Sequence, residues 1–305
     1  MKARIDKIIS SASSIILGKE ETIKLALTCL FANGHVLLED VPGVGKTTLS
    51  LTLAKILGLD YQRLQFTSDL LPADILGVSI FNRENHQFDF HPGPVFTQIL
   101  LADEINRATP KAQSALLEAM EEGQVSVEGA TRPLPQPFFV IATQNPIHQV
   151  GTFPLPESQL DRFLMCIYLG YPTHTAEREL LQGESRRALL HKLQPAVTLI
   201  ELQEIQQAVK EVHASDALID YLQALLDFTR NRPEFLYGLS PRSGISLIAA
   251  AKAWALIHGK QEVIPEDIQA VLPSVTRHRL FSSSEAKNNG ADNLPQFLLN
   301  EVAIP

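Results

Sequence analysis

The sequence predicts a parallel α/β domain over residues 1–172 followed by a small all-helical domain over 173–305, and three observations predict it. Short, wholly apolar runs at Val36–Leu38, at the approach to Asp103 and at Phe138–Ala142 have the continuity of strands buried on both faces of a parallel sheet. Between them lie amphipathic stretches at helical spacing, the alternation that a doubly covered parallel sheet requires. Beyond Pro172 the strand-like runs cease and only helical patterns with their capping signals remain. A length of 305 residues suits about two domains by size alone.

Each element follows in order. Residues 2–16 carry Ile5, Ile8, Ile9, Ala12, Ile15 and Ile16 at helical spacing, and Leu17-Gly18-Lys19 ends that helix. A second helix, about 20–33, buries Ile23, Leu27 and Leu30 and stops at Asn33-Gly34. The first strand then empties into a glycine-rich turn, DVPGVGKTT, which opens a helix with Leu49, Leu53 and Ile56 on one face. Gly58 breaks it, Tyr61–Phe66 alternates as a strand, and residues 78–90 read as a hairpin turning at 82–85. The next strand ends in Leu101-Ala102-Asp103-Glu104. Thr109-Pro110 caps and starts a helix running to Glu122 and Gly123. A second hairpin, 124–135 with Gly129 in its turn, precedes strand Phe138–Ala142; a short helix at Leu160–Leu164 and a strand at Met165–Leu169 complete the α/β part. In the helical part Thr198 and Glu201 form a capping box, Ser215 caps a helix carrying Ile219, Leu222 and Leu226, Ser240-Pro241 opens another with Ile245, Ile248 and Trp254, and Pro265 starts a fourth. Residues 282–293 are polar and predict an exposed loop before a last short helix at about 294–302.

The glycine-rich turn carries the chemistry. Pro42, Gly43, Val44, Gly45, Lys46, Thr47 and Thr48 make a loop whose backbone N–H groups converge at a helix N-terminus, which suits a nucleoside triphosphate. Lys46 is placed for the β- and γ-phosphates and the Thr47 hydroxyl for Mg²⁺. Asp40 stands where the generic phosphate-loop pattern has its first glycine. An apolar strand ending in Asp103-Glu104 brings two carboxylates to the phosphate edge of the sheet: Asp103 to hold Mg²⁺, Glu104 to polarise the attacking water. The ordinary alternative, an acid pair at a helix start, loses force once the upstream loop is present. Asn145, at the tip of the 138–142 strand, offers an amide to the γ-phosphate and the water, or simply turns the chain before Pro146. Arg162 lies just past the phosphate edge, too far round the domain for its own nucleotide, and suits a neighbour's γ-phosphate; a plain pair with Asp161 or Glu157 is the alternative. Arg242, in the first turn of a helix of the second domain, can reach a nucleotide across the cleft, and a cation there is unfavourable without an anion nearby.

A formal charge of -8 argues against general affinity for a nucleic acid backbone. Two cysteines, Cys29 and Cys166, sit in apolar stretches and read as buried thiols of a reducing compartment. The first residues lack the apolar core of a signal peptide and no run reaches membrane-spanning length, so a cytoplasmic protein is expected.

HVLLEDVPGVGKT, ILLADEINRATPKAQSALLEAMEEGQVSV, ATQNP, GTFPLPESQLDRFL and GLSPRS occur in this order with fitting gaps, and over roughly residues 5–281 the chain resembles the MoxR family of AAA+ ATPases. The resemblance implies an AAA+ core with a helix-2 hairpin insert at 78–90 and a helical lid. It matches Gly43, Gly45, Lys46 and Thr47 to Walker A, Asp103 and Glu104 to Walker B, Asn145 to sensor 1, Arg162 to the arginine finger and Arg242 to sensor 2. Ile16-Leu17-Gly18 matches the segment that contacts adenine. It further implies Mg²⁺-dependent ATP hydrolysis in a homo-oligomeric ring of six, and chaperone-like remodelling or maturation of protein clients, among them proteins with von Willebrand factor A domains or metal-dependent partners. Whether Arg242 serves its own or a neighbour's ATP is left open. Two competing readings are a small-molecule P-loop kinase, which needs an acceptor pocket, and a nucleic-acid motor, for which the hairpins are thinly basic: Arg83 and His86 on one, Arg132 on the other.

Overall fold

The computed structural model describes residues 1–84, 86–144, 151–283 and 293–304. Its elements are α1 (Lys2–Ser13), α2 (Glu20–Phe31), β1 (Val36–Glu39), α3 (Lys46–Leu57), β2 (Tyr61–Gln65), α4 (Pro72–Leu76), β3 (Gly77–Asn82), β4 (Gln87–Pro92), β5 (Ile99–Asp103), α5 (Pro110–Glu122), β6 (Gln124–Val127), β7 (Ala130–Pro133), β8 (Phe139–Gln144), α6 (Glu157–Leu160) and β9 (Met165–Ile167). The helical part comprises α7 (His174–Gln182), α8 (Arg186–Lys192), α9 (Leu199–Glu211), α10 (Asp216–Asn231), α11 (Pro241–Ile257), α12 (Pro265–Thr276) and α13 (Leu294–Glu301).

Five strands form one parallel sheet in the order β2-β5-β8-β1-β9. Alternate side chains of β1 divide between its two faces: Val36 and Leu38 join an apolar core with α1, α2 and α3, whereas Leu37 joins a second core with Ala112, Leu116 and Leu117 of α5. Burial on both faces explains why the strand sequences read as unbroken apolar runs. The core on the α1–α3 side continues without interruption into α9–α12, so the helical part is seated against α1, α2 and β9.

The two hairpins, β3–β4 and β6–β7, stand apart from the sheet as separate two-stranded ribbons. Gly77 and Gly93 make the base of the first: a Cβ on Gly77 would fall 2.4 Å from the His91 carbonyl oxygen, and one on Gly93 2.3 Å from that of Ile75. The Arg132 guanidinium lies 3.8 Å over the Phe90 ring and ties the ribbons together. Asn85, in the expected turn of the first hairpin, lies outside the described residues, as does most of the polar stretch 282–293.

Some local expectations shift. The short helix expected at 160–164 is at Glu157–Leu160, because Leu164 is already drawn toward the sheet, its N–H donating to the His35 carbonyl at 2.8 Å. The first helix ends at Ser13, and Ile15 and Ile16 stay buried in the turn that follows it. Helices α4, α7 and α8 have short or mostly polar sequences that periodicity alone does not single out.

His35, which immediately precedes β1, is half-buried, with both ring nitrogens bonded to main-chain groups. Its Nδ1 accepts from the Val140 N–H at 3.0 Å, so Nε2 carries the proton and donates to the Met120 carbonyl at 3.2 Å. Burial pushes its pKa down to about 4, and burial beside Arg279 pushes that of His278 down to about 3. The unfolded chain binds a proton at each near 6.5, so it holds more protons than the folded chain below that pH and stability falls as pH drops from about 6.5. By pH 5 the loss is on the order of 2 kcal/mol per histidine, in a window where ordinary carboxylates titrate little. Urea midpoints measured from pH 7.5 to pH 5 are expected to decline steadily; a flat profile would contradict neutral burial.

Candidate functional site

The phosphate loop leaves the C-terminal end of β1 with Gly43 at φ +87° and Gly45 at φ +103°, conformations that side chains with a Cβ rarely adopt. A Cβ at either glycine would meet no atom within 4 Å, so the loop is open above both, where a phosphate would lie against its N–H groups. Gly45 also heads α3, so the helix dipole points into the same space. A cavity of about 330 Å³ lies there, lined by Pro42, Gly43, Gly45, Lys46, Thr47, Thr48, Asp103 and Glu104. The structure therefore brings the glycine loop and the acid pair to one place, a donor set that fits a triphosphate with a hard divalent cation.

Asp40 has a definite task. Its Oδ1 accepts from the Val41 N–H at 2.9 Å, and its Oδ2 accepts from the N–H groups of Leu169 and Gly170 at 2.8 and 2.6 Å. It thus pins the start of the loop to the segment that leaves β9 for the helical part, which glycine could not do. Lys46 is buried and donates to the Asp40 carbonyl oxygen at 2.7 Å. Burial lowers its pKa, while the carboxylates of Asp40, Asp103 and Glu104 oppose that shift.

The acid pair is fixed by residues that sequence reading did not single out. Thr143 Oγ1 donates to Asp103 Oδ1 at 2.6 Å and accepts from the Glu104 N–H at 2.8 Å. Arg63 donates to Asp103 Oδ2 through Nε at 3.2 Å and Nη2 at 2.6 Å. Gln65 Nε2 donates to Glu104 Oε2 at 2.8 Å, and Arg107 Nη1 lies 3.1 Å from the same oxygen. Glu104 itself is left-handed, φ +57° and ψ +48°, a costly conformation for a non-glycine residue that recurs at functional positions. The strand pairing that sets Gln65 opposite Asp103 is the signal that could have found Arg63 and Gln65.

A second cavity, about 450 Å³, adjoins the loop and is walled by Ile15, Ile16, Leu17, Val44, Tyr171, Pro172, Leu180 and Leu181 among others. Its apolar walls suit a flat base beside the phosphate site. Gly18 is not in that wall: at φ +67° it turns the 15–19 segment against α7, with an added Cβ only 3.1 Å from that of Ala176.

Asn145 lies outside the described residues, one position beyond β8. Arg162 is not just past the phosphate edge as the sequence suggests, and Arg242 does not reach across a cleft to the phosphate loop. Both line a cavity with Asn33, Gly34 and His35, the residues that lead into β1, at the sheet edge opposite the loop. Both pair with Glu121 at the end of α5, Arg162 at 3.0 Å and Arg242 in a shorter contact. Glu121 is the anion that Arg242 needs at a helix N-terminus. The strand between the two edges, four residues at ~3.3 Å each, keeps them more than about 10 Å apart.

Residues 35–165 match the family described as ATPase family associated with various cellular activities (AAA), and residues 227–297 match an AAA lid domain. YeaC of Bacillus subtilis is 45% identical over 303 residues, spanning 99% of this chain and 95% of its own. Chaperone MoxR1 of Mycobacterium tuberculosis is 43% identical, across 98% of this chain and 80% of its own. Protein MoxR of Paracoccus denitrificans is 34% identical, with 92% and 89% covered. A solved structure from Cytophaga hutchinsonii, 38% identical, superimposes with a TM-score of 0.90 over 100% of this chain and 96% of that one. Phosphate loop, acid pair, sheet order and full-length relatives agree: the chain belongs to the MoxR family of AAA+ ATPases.

Proposed function

We propose that the protein hydrolyses Mg-ATP as a ring of identical subunits, six in number, and uses the cycle to remodel protein clients. The observation that carries this reading is the placement of Arg162 and Arg242 at the sheet edge opposite their own phosphate cavity. Arginines so placed have no phosphate in their own chain to neutralise, and a ring sets this edge against a neighbour's nucleotide. The same placement supports action in trans for Arg242.

In each site Lys46 and the loop N–H groups grip the phosphates, and Ile16, Leu17 and Val44 receive the base. Glu104 takes the proton of the attacking water, with the Asn145 amide helping to orient it. Thr47 and Asp103 would hold Mg²⁺, which when bound neutralises charge on the β- and γ-phosphate oxygens. Arg63 occupies Asp103 Oδ2, so its guanidinium competes with a metal for that carboxylate.

Protein clients are favoured over nucleic acid by the first hairpin, where Val78, Ile80, Phe81 and Phe88 are exposed and Phe81 and Phe88 stack edge to face. Such an apolar patch fits a protein surface better than a phosphate backbone. The name of the mycobacterial relative, a chaperone, points the same way, and a von Willebrand factor A domain partner is the client that family resemblance implies. Among the described residues no helix is long and apolar enough to cross a membrane, and Cys29 and Cys166 are buried free thiols. Both features are compatible with the cytoplasm.

Turnover per subunit is expected to rise steeply with protein concentration and to level off as the ring fills. Steady-state phosphate release over a hundredfold dilution series, paired with light scattering, measures it. A monomer that hydrolyses ATP at full, concentration-independent speed overturns the reading.

A further inference from the structure

We propose that Arg279 is the positioning residue of the trans-acting arginine, so that the helical part of each subunit sets the reach of its own Arg162 toward the neighbour's ATP. This rests on the ring reading above. Arg279 lies in the turn after α12, with its side chain only 4% exposed. Its Nε donates to Asp161 Oδ1 at 2.6 Å, its Nη2 to the main-chain oxygens of Asp161 and Phe163 at 3.2 and 2.8 Å, and its Nη1 to that of Leu164 at 3.1 Å. One planar guanidinium therefore grips the residues on both sides of Arg162, while Arg162 itself faces outward, 28% exposed, against Glu121. The same group reaches the Val275 carbonyl on α12 and the Ser246 hydroxyl on α11, one turn from Arg242. Neighbouring His278 adds a bond from Nε2 to the Phe163 carbonyl at 2.9 Å.

Stability alone does not account for a buried arginine. Removing a guanidinium from water is costly, and an apolar pair of similar volume commonly stabilises as well. What the fork supplies is direction: rigid coplanar donors that fix the 161–164 backbone relative to α11 and α12. Because both arginine-bearing segments are tied to one guanidinium, they keep a fixed relation. A movement of the helical part, whose α7 and α8 border the base cavity, would carry Arg162 with it. A displacement of about 1 Å at a group that stabilises a transition state costs ~10²-fold in rate.

Mixed rings separate this role from a structural one. A Lys46→Ala subunit serves as arginine donor without hydrolysing, and an Arg162→Ala subunit as acceptor with an intact phosphate site. Restored turnover in that parent mixture is the reference; no restoration overturns the ring reading itself, whatever Arg279 does. With the reference in hand, Arg279→Met or Arg279→Lys added to the donor is expected to cut restored turnover by about ten- to a hundredfold with the KM for ATP unchanged. The same change added to the acceptor should leave it at the reference level. Equal losses in both placements, or none in the donor, overturn the inference. Should the Arg279 variants melt early, Asp161→Asn, which keeps the side-chain shape and spares the carbonyl bonds, should show a smaller loss confined to the donor; a symmetric loss or none again counts against it.

Discussion

Glu104→Gln is expected to leave ATP binding intact and to reduce turnover by about 10²- to 10⁴-fold, the span that a general base contributes. The expectation rests on how the residue is held. Its backbone is left-handed, its N–H is fixed by Thr143, and its carboxylate is oriented by Gln65 and Arg107. A side chain so constrained occupies one position, and the amide that replaces it has the same shape. Folding and nucleotide affinity should therefore survive, while the site would lose the group proposed to accept the water's proton. Steady-state phosphate release and titration with a fluorescent ATP analogue measure the two quantities separately. Turnover at the wild-type rate would remove Glu104 from the chemistry; lost affinity would recast it as a binding residue. The stalled, ATP-bound form is also the bait with which to test for the proposed protein clients in cell extracts.

What could be read from the sequence was what is local. The phosphate loop is contiguous, the acid pair follows its strand directly, and three caps are encoded within four residues: Thr198 accepts from Glu201, Ser215 from Leu218 and Ser240 from Ser243, whereas Thr109 takes the N-cap position of α5 without a side-chain cap bond. What depends on strand order was not legible. Arg63 and Gln65 are ordinary polar residues of a short strand until β2 is known to pair with β5, which sets Gln65 beside Asp103. Asp40 looked like a departure from a motif because Leu169 and Gly170, which it binds, lie about 130 residues away. Arg162 and Arg242 stand out in the sequence as candidate arginines, but their common edge is fixed by where the helical part docks, which no spacing reports. The shared counter-ion Glu121, an unremarked acid near the end of α5, followed only from that docking.

Arg162→Ala should lower turnover by about 10³-fold or more, the scale on which a transferred phosphoryl group depends on an arginine supplied from a neighbouring chain. The cause is separable from folding. Arg162 and Glu121 are 28% and 33% exposed, and an ion pair so placed contributes roughly 0–1 kcal/mol. Removing the arginine also strands no charge, because Glu121 keeps Arg242 as its partner. The melting temperature and ATP affinity should consequently stay near wild type while hydrolysis collapses. Arg162→Lys should fail nearly as badly, since a flexible ammonium lacks the planar fork that meets two phosphate oxygens at once. A large fall in melting temperature would mark Arg162 as a structural residue of its own chain, whereas a stable, assembled and fully active Arg162→Ala protein would show that the seam between subunits needs no arginine from this position.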